Sequence, residues 1–291
     1  MNYQLQNSPY NLKSVAWMGG VLLSLFSGLP TVQSQQTTAI LTPAQQEAKL
    51  ELNAAARAYR EGNFEDAQRH SESALSLDPE NRSAPMFVAR TIHAQFKPRD
   101  FTPENIARGH DAIAAYQRIL SRNKLDDEAY KAIAYIYATL KEDEQLRNWV
   151  LQRAADSSFD NERRSEAYVV LASKDWDCSF KFTELPTHKT TTVNNRQAFI
   201  EYHKSNDEIE FENAQQCAVR GFEMMDLAIA LKADSEAAWS YKTNLLLELS
   251  KFAEMSGDVQ QKAELQRQYE DALKETMRLA KAREQTEKSK P

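Results

Sequence analysis

The strongest constraint on this chain lies at residues 44–79, where two apolar runs with helical spacing meet at the turn Gly62-Asn63-Phe64. In the first run Leu52, Ala55, Ala56 and Tyr59 recur at intervals of three and four. In the second, Phe64, Ala67, Ser71 and Ala74 do the same. That period places each set on one face of an α-helix. Gly62 supplies the backbone freedom that ends the first helix, and Pro79 stops the second. The small residues Ala55, Ala67 and Ala74 fall where two antiparallel helices touch, so their backbones approach closely. A pair this short cannot bury both apolar faces alone. It requires neighbours to stack on, and the chain must therefore be an array.

The pattern returns along the chain. A second unit opens near Ser83 with Val88, Ala89 and Ile92. The segment Lys97–Phe101 interrupts it, and Thr102-Pro103 starts a partner helix bearing Ala112, Tyr116 and Ile119. A third begins near Asp127 with Tyr130, Ile133, Ala134 and Tyr137, followed by Leu146, Trp149, Val150 and Ala154. A fourth begins near Asn161 with Tyr168, Leu171 and Ala172, and there the regularity fails. Residues 178–207, rich in Thr and Asn, read as an irregular insertion. Within it Phe180-Lys181-Phe182 and Phe199-Ile200-Glu201-Tyr202 alternate as two short strands would. Helix resumes at Glu208 and carries Cys217, Phe222, Met225, Ala228 and Leu231. A fifth unit opens at Ser235, with Trp239, Leu245, Leu246 and Leu249, and turns at Gly257. The last helix, about 258–285, carries the stripe Val259, Ala263, Leu265, Tyr269, Leu273, Met277 and Ala280 on an otherwise charged surface, as suits a cap over the end of an array. Residues 287–291 are expected to fray.

The unit at 44–79 resembles the tetratricopeptide (TPR) repeat, a helix-turn-helix of 34 residues. The resemblance rests on Ala55, Tyr59, Gly62, Phe64, Ala67, Ala74 and Pro79, and it departs at Glu51 and Ala58, where bulkier residues are usual. With the later units it covers roughly residues 44–284. It implies an all-α solenoid of four to five helix-turn-helix units, holding the irregular insertion and the long C-terminal capping helix. It also implies a concave groove lined by the first helix of each unit, in which a protein or peptide partner binds. Carried over by position, the groove residues are Leu52, Ala56 and Tyr59 in unit one, Met86, Arg90 and His93 in unit two, and Lys131 and Tyr135 in unit three. The cations Arg60, Arg90 and Lys131 would suit an extended peptide with an acidic or C-terminal carboxylate end. The basic-and-asparagine clamp of chaperone-binding members is not reproduced, because Leu52 and Ala56 stand where polar side chains are needed.

Seven Gly and nine Pro are too few for a β-rich chain full of tight turns. A net charge of −6 gives no reason to expect nucleic acid as a partner. Residues 1–34 read as a secretory signal peptide. Lys13 is their only charged side chain, Val15–Leu29 is largely apolar, Pro30 breaks that run, and Val32-Gln33-Ser34 places a cut before Gln35. Residues 35–43 then read as a flexible leader. The alternative is that the same segment is retained as an anchor, making the chain an accessory subunit of a membrane complex. On the signal reading the protein is exported to the periplasm or cell envelope. The two cysteines, Cys178 and Cys217, are then expected to form one disulfide, the alternative being two buried thiols.

Nothing in the sequence has catalytic spacing. It carries no H-E-x-x-H, C-x-x-C-H, Gly-rich phosphate loop or G-x-S-x-G. The histidines His70, His93, His110, His188 and His203 share no ligand spacing. The carboxylates lie among Lys and Arg, as on solvated helix faces. The expectation is a non-enzymatic scaffold without metal or cofactor.

Overall fold

The computed structural model describes residues 41–194 and 197–289. The expected signal peptide and the cut before Gln35 lie outside them, as do residues 35–40 of the expected leader, whose last residue, Pro43, already opens α1. Ten helices and one hairpin follow in order among the described residues: α1 (Pro43–Arg60), α2 (Phe64–Leu77), α3 (Ala84–Gln95), α4 (Pro103–Arg122), α5 (Asp127–Leu140), α6 (Asp143–Ala155), α7 (Asn161–Thr183), β1 (Lys189–Asn194), β2 (Gln197–Tyr202), α8 (Glu208–Leu231), α9 (Glu236–Met255) and α10 (Val259–Lys288).

Local chemistry starts and stops these helices. Thr42 closes a capping box on α1: its hydroxyl accepts from the Gln45 N–H at 3.2 Å, and its own N–H donates to Gln45 Oε1 at 3.0 Å. Asp126, Asp160, Asp207, Ser235 and Asp258 cap α5, α7, α8, α9 and α10 in the simpler way, each accepting one N–H of the first turn. Gly62 and Gly257 sit at φ of 81° and 72° in the α1–α2 and α9–α10 turns, where a side chain would strain the backbone.

Each helix packs on the next, and α7 also reaches α9, so five antiparallel pairs stack in sequence order. Their interiors form successive layers. Ala48, Ala74 and Ala84 close the first. Val88, Ile92, Ile113, Tyr116, Ile133 and Ile136 fill the second, and Val150, Tyr168, Leu171, Met225 and Leu245 the third. Phe182, Phe211 and Phe252 make the fourth. Ile133, Ile136, Leu245, Leu246 and Phe252 are fully buried, each stabilising the fold by about 1.5–3 kcal/mol relative to exposure. No pair is independent, because each layer is assembled from adjacent units.

Charges tie neighbouring pairs together. Asp175 on α7 is 4 % exposed and takes Arg147 of α6 at 3.2 Å and Arg220 of α8 at 3.1 Å. Arg153 of α6, buried, lies 3.9 Å over the Tyr130 ring and pairs with Asp127 of α5, which also accepts from Arg163 at 2.9 Å. Burial pushes the Asp127 carboxyl up, but hydrogen bonds from Arg163 and Arg153 outweigh it and hold the group below the usual carboxylate range.

The structure corrects two expectations. Phe180-Lys181-Phe182 is not a strand but the last turn of α7. Trp176 and Phe180 meet as a helical i,i+4 pair at 4.9 Å, and Ser179 and Thr183, also four apart, are both buried. Three alternating residues cannot distinguish strand from helix end. The first strand is instead Lys189–Asn194, paired antiparallel with Gln197–Tyr202 so that Thr191 faces Ile200. The insertion is thus confined to 184–207 and built around an ordered hairpin. On α10, Val259 and Met277 are exposed, at 79 % and 64 %, whereas Ala272 and Leu279 are buried. The packed face therefore runs through Leu265, Tyr269, Ala272, Thr276 and Leu279. Apolar residues spread over more than one face of this helix, and contact with α9 selects among them.

Cys178 and Cys217 are bonded, with Cα atoms 6.1 Å apart, and join α7 to α8. Glu184 anchors the hairpin base. It pairs with Lys189 of β1, with Lys251 of α9 at 3.0 Å, and accepts from the Tyr202 hydroxyl at 3.3 Å. Among the described residues no helix is long and apolar enough to cross a membrane.

Candidate functional site: a concave aromatic notch

Of the first helices of units one to three, α1 touches α3, and Arg90 and His93 of α3 meet Glu128 and Tyr135 of α5. Between them lies a cavity of about 250 Å³ lined by Tyr59, Arg90, His93, Phe96, Tyr116 and Tyr135, with Ala94 and Pro98 at its edge. Local sequence sets each wall. Tyr59 occupies the last turn of α1, where its ring meets Phe64 at 5.2 Å and Phe87 at 6.5 Å. Arg90 and His93 are one turn apart on α3, so both face the notch. The loop after α3 is held by Asn105. Its side chain accepts from the Lys97 N–H at 2.8 Å and donates to the carbonyls of Lys97 and Asp100 at 2.8 and 2.7 Å, fixing the segment that carries Pro98.

The floor is aromatic and neutral. His93 Nδ1 lies 3.2 Å from the Tyr116 hydroxyl, and its ring stands edge-on to Tyr116 at 5.8 Å and tilted to Tyr135 at 5.7 Å. Burial lowers the His93 pKa, which favours the uncharged ring at neutral pH. Burial raises the Tyr116 pKa, keeping its hydroxyl protonated. Tyr59 and Tyr135 are 38 % and 50 % exposed.

Of the groove residues expected from sequence, the structure brings Tyr59, Arg90, His93 and Tyr135 together around this notch. Lys131 is exposed on α5, one turn before Tyr135. Leu52 and Met86 do not line the notch. Leu52 packs against the Ala48–Ala74–Ala84 layer and Met86 against the second layer. Arg90 is not an open cation either. Its Nε and Nη2 donate to Glu128 at 2.6 and 2.5 Å, a bidentate pair linking α3 to α5. Tyr116 reads from its spacing as a core residue, and nothing local to Glu128, Phe96 or Pro98 marks them as part of the site. Glu128 and Arg90 are 38 residues apart, and only the stacking of unit three on unit two joins them.

The histidines each find a different neighbour. His70 meets Glu51, His110 meets Glu142, His188 meets the Phe182 carbonyl and His203 meets Thr190. Among the described residues no grouping of three or more His, Cys, Asp or Glu could hold a metal ion.

Helix pairs stacked in sequence order make an all-α, TPR-like solenoid. No protein-family model matches the chain, and no curated protein matches it. Similar solved structures include a MamA protein, at 13 % identity and a TM-score of 0.36 over 81 % of this chain and 95 % of that one. A further MamA structure, from Desulfovibrio magneticus RS-1, has 13 % identity and a TM-score of 0.37 over 81 % and 96 %. A tetratricopeptide repeat protein from Parabacteroides merdae ATCC 43184 has 12 % identity and a TM-score of 0.34 over 80 % and 99 %.

Proposed function

We propose that this chain is a non-enzymatic scaffold that holds an extended segment of a protein partner across α1, α3 and α5, seating one apolar or aromatic side chain in the notch. The carrying observation is the convergence of Tyr59, His93, Tyr116 and Tyr135 around one open cavity. Rigid aromatic rings supply contact area at low conformational cost, and such residues dominate binding energy at protein interfaces. The Arg90–Glu128 pair at the rim offers both signs of charge to a partner backbone without a net demand for an acidic ligand. We further infer that the protein works in the cell envelope after export and removal of residues 1–34. The cystine Cys178–Cys217 supports an oxidising compartment.

Native co-purification tests the binding reading. The variant Tyr59→Ala/Tyr135→Ala is compared with the native chain and with Met277→Ala on α10. A partner whose recovery falls about tenfold or more in the first variant alone supports the notch. Equal recovery by all three refutes it. Intact-mass measurement tests export, for which the mature chain must begin at Gln35. A retained N-terminus favours the anchored-subunit alternative.

A further inference from the structure

The hairpin leaves one sheet edge open, and that edge is complementary to itself. The His203 N–H donates to the His188 carbonyl at 2.9 Å, which makes 188/203 a hydrogen-bonded pair of the ladder. Antiparallel ladders alternate, so 190/201 and 192/199 bond inward. Lys189, Thr191 and Val193 of β1, and Ala198, Ile200 and Tyr202 of β2, therefore turn their main-chain N–H and C=O groups outward. The two edges differ in what meets them. On β2 the outward Tyr202 N–H donates to Glu254 of α9 at 3.1 Å, so α9 meets the end of that strand. On β1 the strand is exposed from Thr190 to Asn194, with Val193 at 74 %. It carries none of the proline, bulge or outward charge run with which proteins protect such edges.

We propose that β1 pairs antiparallel with β1 of a second copy of this chain about a two-fold axis at Thr191, joining two hairpins into one four-stranded sheet. The register carries the assignment. With Thr191 on the axis, residues 189, 191 and 193 of one copy meet 193, 191 and 189 of the other, and all of them bear outward main-chain groups. That gives roughly six new main-chain hydrogen bonds. Side chains match as well. Thr190 meets Thr192 and Thr191 meets Thr191, favourable cross-strand pairs, while Lys189 lies beside Val193, so no like charges face each other. A shift by one residue would bring inward-bonded groups to the edge and forfeit the ladder. A closed two-fold contact also uses up both open edges, so association stops at the dimer.

Sedimentation velocity on the full chain, loaded up to about 1 mM, tests this. The native protein is expected to pass from monomer to dimer with concentration. Thr191→Pro removes an N–H that the monomer does not use and blocks the edge with the ring. It is expected to stay monomeric at every loading with an unchanged circular dichroism spectrum. Val193→Lys, at an exposed position, sets Lys against Lys189 twice by symmetry and is expected to weaken the dimer about fivefold or more. A native protein that remains monomeric throughout overturns the proposal. So does dimerisation of the folded Val193→Lys and Thr191→Pro variants at native strength.

Discussion

Replacing Phe252 by Ala tests whether this array is held together layer by layer. The Phe252 ring is fully buried. It stacks on Phe182 at 5.9 Å and meets Phe211 edge-on at 5.5 Å, so one ring joins α7, α8 and α9. Removing a buried Phe side chain costs about 3–5 kcal/mol. The two ring contacts place this site toward the upper part, about 4 kcal/mol or more. For a domain of this size each kcal/mol shifts the melting temperature by about 2–4 °C, so a fall of about 8–16 °C is expected by calorimetry. Hydrogen exchange should locate the damage. In a solenoid each unit contacts only its neighbours, so amides of α7 to α9 and of the hairpin should exchange faster, while α1 to α4 keep native protection below the transition. Two results would refute the reasoning. One is a melting shift under about 2 °C, meaning that the layer does not stabilise the chain. The other is equal loss of protection in α1 and α9, meaning that the units are not coupled through neighbours.

Further outcomes follow from the charges and the cystine. Glu248 and Lys251 are 1 % and 6 % exposed and pair at 2.7 Å. Lys251→Met should cost about 3–5 kcal/mol by stranding Glu248, and the double variant Glu248→Leu/Lys251→Met should recover much of that, as a denaturant double-mutant cycle will measure. Burial pushes the Glu184 carboxyl up, but hydrogen bonds from Lys189 and Lys251 outweigh it and leave its pKa below the ordinary 4.5. The unfolded chain then binds the proton more readily. The stabilisation is fully present above about pH 5 and is lost as pH falls through the depressed folded value, and Glu184→Gln should flatten that acid limb in a pH series of hairpin exchange rates. Reducing Cys178–Cys217, which closes a separation of 39 residues, should lower stability by up to about 4 kcal/mol on the chain-entropy account, read as a melting shift with and without reductant. Arg90→Ala should change stability by less than about 1 kcal/mol, because the Arg90–Glu128 pair is nearly half exposed, yet it should weaken partner retention in the co-purification assay.

Much of the architecture was legible because it is local. The three- and four-residue recurrence of Ala55, Tyr59, Ala67 and Ala74 dictates paired helices. Thr42 and Gln45 announce the capping box, and Gly62 and Gly257 mark the turns, each through interactions spanning a few residues. Tyr59, Arg90, His93 and Tyr135 were legible as a set only through the repeat, which puts equivalent positions of successive first helices on one side. The strand Lys189–Asn194 has its own signal in the β-branched run Thr190-Thr191-Thr192-Val193, whereas the aromatic alternation at Phe180–Phe182 mimics a strand within a helix end.

Short-range periodicity and capping chemistry thus determined that this chain is a stack of helix pairs, and roughly where each begins and ends. Tertiary structure alone decided which side of α10 is covered, that Arg90 is met by Glu128, that Tyr116 closes the notch floor, and that Glu254 occupies one edge of the hairpin and not the other. Those outcomes depend on groups brought together from distant parts of the chain. Their meeting is set by how neighbouring layers pack, and no pattern within a single helix encodes it.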